Sequence, residues 1–370
     1  MALSFVDAGR PAARKRQARP QVRAADQPDP LRLLLVTDAW TPQINGVSRT
    51  YEWLSRALPD LGVDLHLLTP QGYRTIPMPS YPAIRLALPP PRSVPHRIAA
   101  IAPHIVHIAT EGPIGLLARL YCHRRRIPFT TCFHTRYPEY IAARWPIPER
   151  WSYAALRWFH NGAAATMAAT QALAGELRGH GFARMVHWKR GVDTKVFAEG
   201  PMAQLDLPRP WFLFAGRLAV EKNIEAFLEL DLPGTKIVAG DGPARAMLQQ
   251  KYPQVRFLGA LSSADLGAVY RAADVFVFPS RTDTFGLVMA EALAAGLPVA
   301  CYPSDGARAI FDGEACGVIG TDLRQAALSA LRIDKVLCRK VGASHSLERS
   351  ARSFLSIVEN AKAATSLPWG

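Results

Sequence analysis

From residue 31 onward, short apolar runs alternate with segments that have a helical pattern. The runs are rich in Leu, Ile, Val and Phe, as expected of strands that are buried on both faces of a parallel sheet. A first set of predicted strands covers residues 31–36, 65–68, 84–88, 105–108, 129–133, 164–169 and 185–188. A second set covers residues 211–215, 236–239, 255–258, 275–278 and 298–301. Strands that alternate with helices in this way predict an α/β protein with helices on both faces of each sheet.

A segment rich in Gly and Pro separates the two sets at residues 197–210, which predicts a linker. The sequence therefore predicts two Rossmann-like domains, at 31–196 and 211–345, followed by a C-terminal helix and tail at 346–370. Because ligands of open α/β sheets bind beyond the carboxyl ends of the strands, the cleft between the domains is the expected active site.

Residues 1–30 have no apolar periodicity and are interpreted as a disordered basic arm. Two interpretations of this arm stay open, contact with lipid head groups and a solvated tail without a specific role. The cations that would make the lipid contact are Arg14, Lys15, Arg16, Arg19 and Arg23.

Composition narrows the class of protein and its partners. Of the 370 residues, 49% are apolar, and 44 basic against 30 acidic residues give a net charge of +14, which favours an anionic partner. The five cysteines show no metal or disulfide spacing, which is typical of a reducing compartment. Since residues 1–29 lack the apolar core of a signal peptide and no run is long enough to span a membrane, we expect a cytoplasmic protein with at most peripheral membrane attachment.

The segment 279–296, PSRTDTFGLVMAEALAAG, carries the most specific chemistry. A helix is predicted at 285–295, with Thr282, Asp283 or Thr284 as its cap and Gly296 at its end. The free N–H groups of its first turn would attract a phosphate. Two carboxylates, Asp283 and Glu291, accompany this anion site without a metal motif, which suggests that they bind sugar hydroxyls.

This segment resembles the carboxylate–seven–carboxylate motif of glycosyltransferase family 4, the retaining group with the GT-B fold. The resemblance implies that Asp283 contacts the donor sugar and that Glu291 holds the nucleotide ribose. It also implies that the backbone of Phe285, Gly286 and Leu287 meets the diphosphate, and Thr284 is expected among the donor-binding residues. Most members of the family have Glu where this chain has Asp283, whose side chain reaches about one methylene less far.

A second motif, GRLAVEKN at 216–223, follows the first strand of the second set. Cations five residues apart after a strand end can meet a diphosphate, so Arg217 and Lys222 are predicted to stabilise the leaving group, with Gly216 beside them. A solvated loop with two surface cations is the alternative. The segment is similar to the Gly-Arg and Lys-Asn signature of the same family.

Further donor contacts are predicted from three other strand ends. Asn45 and Gly46 form a turn before a helix, where a phosphate could approach the backbone closely. The turn Gly240-Asp241-Gly242-Pro243 opens another helix, and the resemblance places Gly240 and Gly242 near the nucleotide or makes them fold elements. The resemblance also implies that the nucleobase packs against Phe257 and Leu258.

His134 ends the strand at 129–133 and is expected to point into the cleft. It resembles the histidine beside the donor sugar in the mannosyltransferase branch, which implies a positioning or hydrogen-bonding role. A structural histidine is the alternative interpretation.

The resemblance implies a retaining enzyme. Because no Asp-x-Asp motif for a metal-bound diphosphate appears, we expect it to need neither a divalent metal nor a cofactor. The resemblance favours transfer of mannose from GDP-mannose to a lipid or glycan acceptor. A UDP-sugar glycolipid synthase and a nucleotide-sugar epimerase or hydrolase are the alternatives. Nucleic acid is not an expected partner, because the sequence has no RNA- or DNA-binding motif.

Basic residues interleaved with tryptophans in the first half suggest contact with an anionic membrane, at the cytoplasmic face of the inner membrane. These residues are the cluster 123–126 together with Arg144, Trp145, Arg150, Trp151, Arg157 and Trp158.

Overall fold

The structure, a computed structural model, describes residues 29–366 apart from 42, 44–45, 79–80, 143–145, 282 and 312. Residues 1–28 of the predicted basic arm and Asn45 therefore lie outside the described residues, as do Arg144 and Trp145. The strands are β1 (Leu31–Val36), β2 (Val63–Leu68), β3 (Thr75–Met78), β4 (Tyr81–Ala87), β5 (Ile105–Ile108), β6 (Phe129–Phe133), β7 (Ala165–Ala168), β8 (Met185–His187), β9 (Trp211–Ala215), β10 (Thr235–Ala239), β11 (Arg256–Gly259), β12 (Val275–Phe278), β13 (Val299–Cys301) and β14 (Gly317–Ile319).

Helices connect most of these strands. They are α1 (Gly46–Asp60), α2 (Ser93–Ile101), α3 (Pro113–Arg125), α4 (Tyr137–Ala142), α5 (Glu149–Asn161), α6 (Gln171–Gly179), α7 (Thr194–Ala198), α8 (Glu225–Leu228), α9 (Arg245–Lys251), α10 (Ser263–Ala272), α11 (Leu287–Ala294), α12 (Asp305–Phe311), α13 (Leu323–Ala330), α14 (Lys335–Ser344) and α15 (Leu347–Ser366). A short 3-10 helix spans Val220–Lys222.

The first half is a parallel sheet with the strand order β2-β1-β5-β6-β7-β8. Leu33, Leu34, Leu35 and Val36 of β1 are fully buried, because helices cover both faces of the sheet. The expectation that residues 84–88 belong to this sheet is wrong, since 84–87 lie in β4, which pairs antiparallel with β3 in a separate hairpin. The connection from β3 to β4 is too short for the crossover that a parallel pair requires.

The second half is also a parallel sheet, with the order β11-β10-β9-β12-β13-β14. The strand order reverses at β9, the first strand of this half, whose neighbours are β10 and β12. A reversal of this kind opens a crevice beyond the carboxyl ends of the two central strands. The predicted motifs at Arg217 and Asp283 follow these two strands, β9 and β12.

The chain passes between the halves twice, at adjacent places. Val192 bridges to Ser346, and backbone hydrogen bonds join Val192 to His345 and Leu347. After the first passage, α7 packs on α10 and α11, and its Phe197 is buried at the start of the predicted linker. After the second passage, α15 returns to α1 and the first sheet.

The return of α15 has a clear local cause. Ala351, Phe354, Val358 and Ala361 lie on one face of this helix and are buried in the core of the first half. Their spacing of three or four residues is that of an amphipathic helix. The C-terminal segment therefore completes the first domain although it follows the second in the chain.

Among the described residues, none of the helices combines the length and the apolar character that a membrane span requires.

Candidate active site

The centre of the site is an ion pair between the loops that follow β9 and β12. Lys222 Nζ donates to Asp283 Oδ1, and both side chains are mostly buried, with exposed fractions of 23% and 18%. Asn223, which follows the 3-10 helix, donates from Nδ2 to the carbonyl of Pro279 at 3.2 Å. This contact holds the basic loop against the acidic loop. The structure thus brings Lys222 and Asp283, 61 residues apart in sequence, into direct contact.

Helix α11 begins at Leu287, two residues later than predicted, and neither Asp283 nor Thr284 is its N-cap. Its N-cap is Gly286 with φ of 79°, and no side chain caps the helix. A left-handed conformation of this kind is tolerated best by glycine, so the sequence permits the turn only at this residue. Thr282 lies outside the described residues. Because the first N–H groups of a helix have no partners within it, the start of α11 can receive an anion.

The first half meets the start of α11 through Gly46. A Cβ atom added at Gly46 would lie 3.8 Å from Leu287 Cδ1, so the beginning of α1 and the beginning of α11 face each other. Thr284 also links the halves, since its hydroxyl donates to the carbonyl oxygen of His134 at 3.0 Å. Phe285 is buried, so only its backbone is placed to meet a ligand.

Glu291 lies one turn into α11 and is only 1% exposed. Its Oε2 accepts from the Tyr270 hydroxyl at 3.3 Å, and its Oε1 lies 3.5 Å from Arg49 Nη1. Burial raises the pKa of Glu291, although Arg49 and Tyr270 act in the opposite direction. Arg49 comes from α1 of the first half and also donates to Ser263 Oγ at 2.7 Å. A ribose that binds Glu291 would therefore have to share this carboxylate with Arg49 or displace it.

His134 is partly buried, and each nitrogen of its ring contacts a protein group. Its Nδ1 lies 2.9 Å from Arg190 Nη2 and its Nε2 lies 2.8 Å from the Tyr51 hydroxyl. Since a guanidinium can only donate, Nδ1 accepts and the ring proton is on Nε2. Burial, reinforced by the charge of Arg190, holds the pKa of His134 well below its usual value.

The hydrogen-bonded chain continues from His134 into the core. The Tyr51 hydroxyl lies 2.8 Å from His107 Nε2, and His107 Nδ1 lies 2.8 Å from Thr130 Oγ1. With the proton on His134 Nε2, Tyr51 accepts from His134 and donates to His107. Both nitrogens of His134 are thus occupied by protein groups, which makes the ring a poor general base. Its predicted positioning role stays a prediction.

Gly240 and Gly242 lie so close to the backbone of the Arg217 loop that no side chain fits at either position. A Cβ atom at Gly240 would lie 1.9 Å from the carbonyl oxygen of Gly216, and one at Gly242 would lie 2.4 Å from that of Leu218. Gly216 itself has φ of 150°. These contacts explain why glycine occurs at 240 and 242 without any contact with a nucleotide.

Phe257 and Leu258 lie on the edge strand β11, beside β10, and both are partly buried against the cores of the second half. Their predicted contact with a nucleobase stays a prediction.

Comparison with known proteins identifies the family. The family model described as Glycosyltransferase Family 4 matches residues 44–196, and the model described as Glycosyl transferases group 1 matches residues 209–333. The two matches correspond to the two halves and together cover well over half of the chain. The chain belongs to glycosyltransferase family 4. It is therefore an enzyme, a hexosyltransferase that takes its sugar from a nucleotide-sugar donor.

This glycosyltransferase is similar to relatives that have different activities. A GDP-mannose-dependent alpha-mannosyltransferase of Mycobacterium tuberculosis is 29% identical over 318 residues, which cover 78% of this chain and 83% of the relative. The alpha-monoglucosyldiacylglycerol synthase of Acholeplasma laidlawii is 26% identical over 327 residues, which cover 73% of this chain and 79% of the relative.

Solved structures confirm the predicted GT-B fold. Anabaena HepE in complex with UDP and glucose superposes with a TM-score of 0.64 at 14% identity, covering 89% of this chain and 100% of HepE. Sucrose-phosphate synthase from Thermosynechococcus elongatus gives a TM-score of 0.64 at 18% identity, covering 90% and 97% of the two chains.

Arg49, Tyr51 and Arg190 contact predicted site residues of this glycosyltransferase, and the sequence did not point them out. Of these three, only Arg49 could have been noticed in the sequence. A cation near the start of a helix interacts unfavourably with the helix dipole, so its presence there suggests a specific partner. In the part of the chain that the structure describes, no group of three or more His, Cys, Asp or Glu side chains could hold a metal ion.

Proposed function

We propose that this enzyme transfers mannose from GDP-mannose to a lipid or glycan acceptor, with retention at the anomeric carbon and without a divalent metal. The observation that carries the proposal is the contact of Lys222 with Asp283 beside the free N-terminus of α11. A cation, a carboxylate and a helix start at one place suit the diphosphate and the sugar of a nucleotide sugar. The similarity to the mannosyltransferase of Mycobacterium tuberculosis supports mannose as the sugar.

In this proposal the charge that develops on the leaving diphosphate is offset by protein groups alone. Lys222, Arg217 and the N–H groups at the start of α11 would surround the phosphates between the two halves. Fixed positive groups of this kind stabilise the transition state more than the ground state, since negative charge grows as the sugar departs. Asp283 would accept hydroxyl groups of the sugar, and Glu291 would hold the ribose.

A UDP-sugar-dependent glycolipid synthase is the second candidate. It is favoured by the similarity to the alpha-monoglucosyldiacylglycerol synthase, which covers nearly as much of the chain as the mannosyltransferase does. The two candidates share the diphosphate and carboxylate contacts and differ in the nucleobase and the hexose.

Thermal-shift titration in EDTA tests the donor and the metal independence together. GDP-mannose is expected to raise the melting temperature of the wild-type protein, whereas UDP-glucose and UDP-galactose leave it unchanged. Ligand at about one hundred times its Kd adds about 2.7 kcal/mol of stability, a shift that is readily measured. Arg217→Ala should abolish most of the shift, because the guanidinium is proposed to bind the diphosphate.

The substitution Arg256→Ala serves as the matched control for this titration, since Arg256 lies at the exposed start of β11. It should keep the full shift. A shift only with UDP sugars would select the second candidate, and a shift that requires added magnesium would contradict metal independence. No shift with any nucleotide sugar would contradict the proposed function.

We propose further that an apolar and basic surface of the first half contacts an anionic membrane. On α5, Trp151 and Trp158 are 65% and 51% exposed, and on the neighbouring α3 Leu116 and Leu120 are partly exposed. Arg119 joins the two helices, because its guanidinium lies 3.7 Å from the Trp158 ring centroid. Exposed tryptophans beside arginines suit the depth of lipid head groups.

Vesicle flotation tests this surface. Wild-type protein is expected to bind vesicles that contain phosphatidylglycerol and not vesicles of phosphatidylcholine alone. Replacing Arg124 and Arg125 together by alanine should weaken binding by about tenfold or more, at about 1 kcal/mol for each arginine near the membrane surface. Val336→Ala, an exposed apolar position of the second half, should have no effect. Equal binding by both variants would exclude this surface.

A further inference from the structure

A small cavity lies between the two halves, next to the contact of Lys222 with Asp283. It has a volume of about 210 Å³ and is lined by Arg136, Glu139, Arg281, Asp283 and Asp305. Arg136 and Glu139 belong to the first half, and the other three belong to the second. A water molecule occupies about 30 Å³ in the liquid, so the cavity suits a group of about the size of one sugar ring.

Two carboxylates that line this cavity each carry one unsatisfied oxygen. Glu139 Oε1 accepts from Arg136 Nη1 at 3.0 Å and from the Tyr153 hydroxyl at 2.9 Å. Glu139 Oε2 is buried and has no hydrogen-bond partner among the described residues. The same holds for Asp283, whose Oδ1 accepts from Lys222, whereas within the described structure its buried Oδ2 accepts from no group.

These two oxygens identify the kind of ligand that the cavity would take. A buried acceptor without a donor costs about 1–3 kcal/mol, so a ligand that supplies hydrogen-bond donors recovers that energy. Hydroxyl groups can donate to both oxygens at once. Phosphate and carboxylate groups cannot do so at neutral pH, because they have few or no protons to donate.

The basic residues of the cavity do not change this conclusion, because Arg136 is already paired with carboxylates and Arg281 lies over an aromatic ring. Arg136 forms a bidentate pair with Glu176, with both distances at 2.6 Å, and it also lies 3.7 Å from Asp305 Oδ2. The hydrogen bonds to Glu176 raise the pKa of Arg136. The Arg281 guanidinium lies 3.8 Å from the centroid of the Tyr302 ring. Three carboxylates against two such cations make the cavity unfavourable for an anion.

We propose that Glu139 is a second sugar-binding carboxylate, which holds an uncharged polyhydroxyl ring in this cavity together with Asp283. Each of the two unsatisfied oxygens accepts a hydrogen bond from a hydroxyl of that ring. Since the carboxylates come from different halves, the ring is held only when the halves lie together as they do here. The inference rests on the proposed function, because it takes Asp283 as a sugar ligand. The ring is either the hexose of the donor or a sugar of the acceptor.

Glu139→Gln tests the inference with little disturbance of the fold. The amide oxygen can still accept from Arg136 and Tyr153, while the amide nitrogen replaces Oε2 and cannot accept. Calorimetric titration of wild type and variant with GDP, GDP-mannose, UDP and UDP-glucose compares each nucleotide with its sugar derivative. Titration of methyl α-mannoside into the nucleotide-bound protein measures the affinity for an acceptor sugar.

If the ring is the donor hexose, the variant binds the free nucleotide within about twofold of wild type and the nucleotide sugar at least about tenfold more weakly, as expected for loss of a hydrogen bond to a charged group. If the ring belongs to the acceptor, only the binding of methyl α-mannoside weakens by that factor. Glu176→Gln is the matched control, because Glu176 holds the same Arg136 but does not line the cavity, and it should change neither affinity.

The inference is wrong if Glu139→Gln changes none of these affinities, or if it weakens free nucleotide and nucleotide sugar equally. Failure of the proposed function is distinguishable from these outcomes, because wild-type protein would then bind none of the four nucleotides and both ideas would be lost together.

Discussion

Replacing Lys222 by alanine is expected to lower kcat by about 10²–10³, the usual loss when one fixed group that stabilises developing negative charge is removed. Lys222 holds Asp283 through its ammonium group, and both side chains are mostly buried between the loops after β9 and β12. If Lys222 binds the diphosphate as proposed, the variant loses that cation, and it also leaves the Asp283 carboxylate without its partner. Steady-state kinetics with the donor identified by thermal shift measure the effect.

The partition between kcat and KM matters for the interpretation. If Lys222 acts mainly on the departing diphosphate, kcat falls while the KM of the donor changes little. Lys251→Ala is the control, because Lys251 pairs with Glu225 on the surface of the same half and both side chains are about half exposed. Its activity should stay within about twofold of wild type, since exposed ion pairs contribute little. Equal activities of the two variants would refute the leaving-group role of Lys222.

Replacing Gly240 by alanine is expected to destabilise the second half by about 3 kcal/mol or more, because strain and overpacking act at the same residue. Gly240 has φ of 133°, which side chains rarely tolerate, and a Cβ atom there would lie 1.9 Å from the carbonyl oxygen of Gly216. Neither atom can move without shifting the backbone of β9 or β10. Urea unfolding followed by circular dichroism measures the change in the free energy of unfolding.

Gly175→Ala is the matched control for this prediction. Gly175 lies within α6, and a Cβ atom added there would meet no atom within 4 Å. Alanine is expected to leave stability unchanged or to raise it by roughly 0.5–1 kcal/mol, since glycine weakens helix interiors. If both variants unfolded at the same urea concentration, the close approach at Gly240 would not be a constraint on the fold. A destabilised Gly240→Ala protein that still binds donor normally would separate the structural role of this glycine from its predicted donor contact.

The sequence by itself determined the class of fold and the position of the motifs along it. Apolar runs such as 31–36 and 275–278 are buried on both faces, and local composition reports this burial directly. Strand ends, glycine turns and the spacing from Asp283 to Glu291 are also local, so they could be identified without knowing what packs against them. Residues 84–88 were misplaced because an apolar run indicates a strand without indicating its partner. The start of α11 was misplaced because three residues there had the chemistry of a cap.

Only the tertiary structure decided which of these residues meet. Arg49 contacts Glu291, and Tyr51 and Arg190 contact His134, across long separations in the chain. The cavity likewise places the unsatisfied oxygens of Glu139 and Asp283 in one lining, although the two residues come from different halves. Such contacts depend on how the two halves pack and on where α15 returns. The periodicity of a single segment carries no information about which distant segment it will contact. The physical reason is that a strand or helix is specified by the burial of its own side chains, whereas a site between two domains is specified by the relative position of two cores.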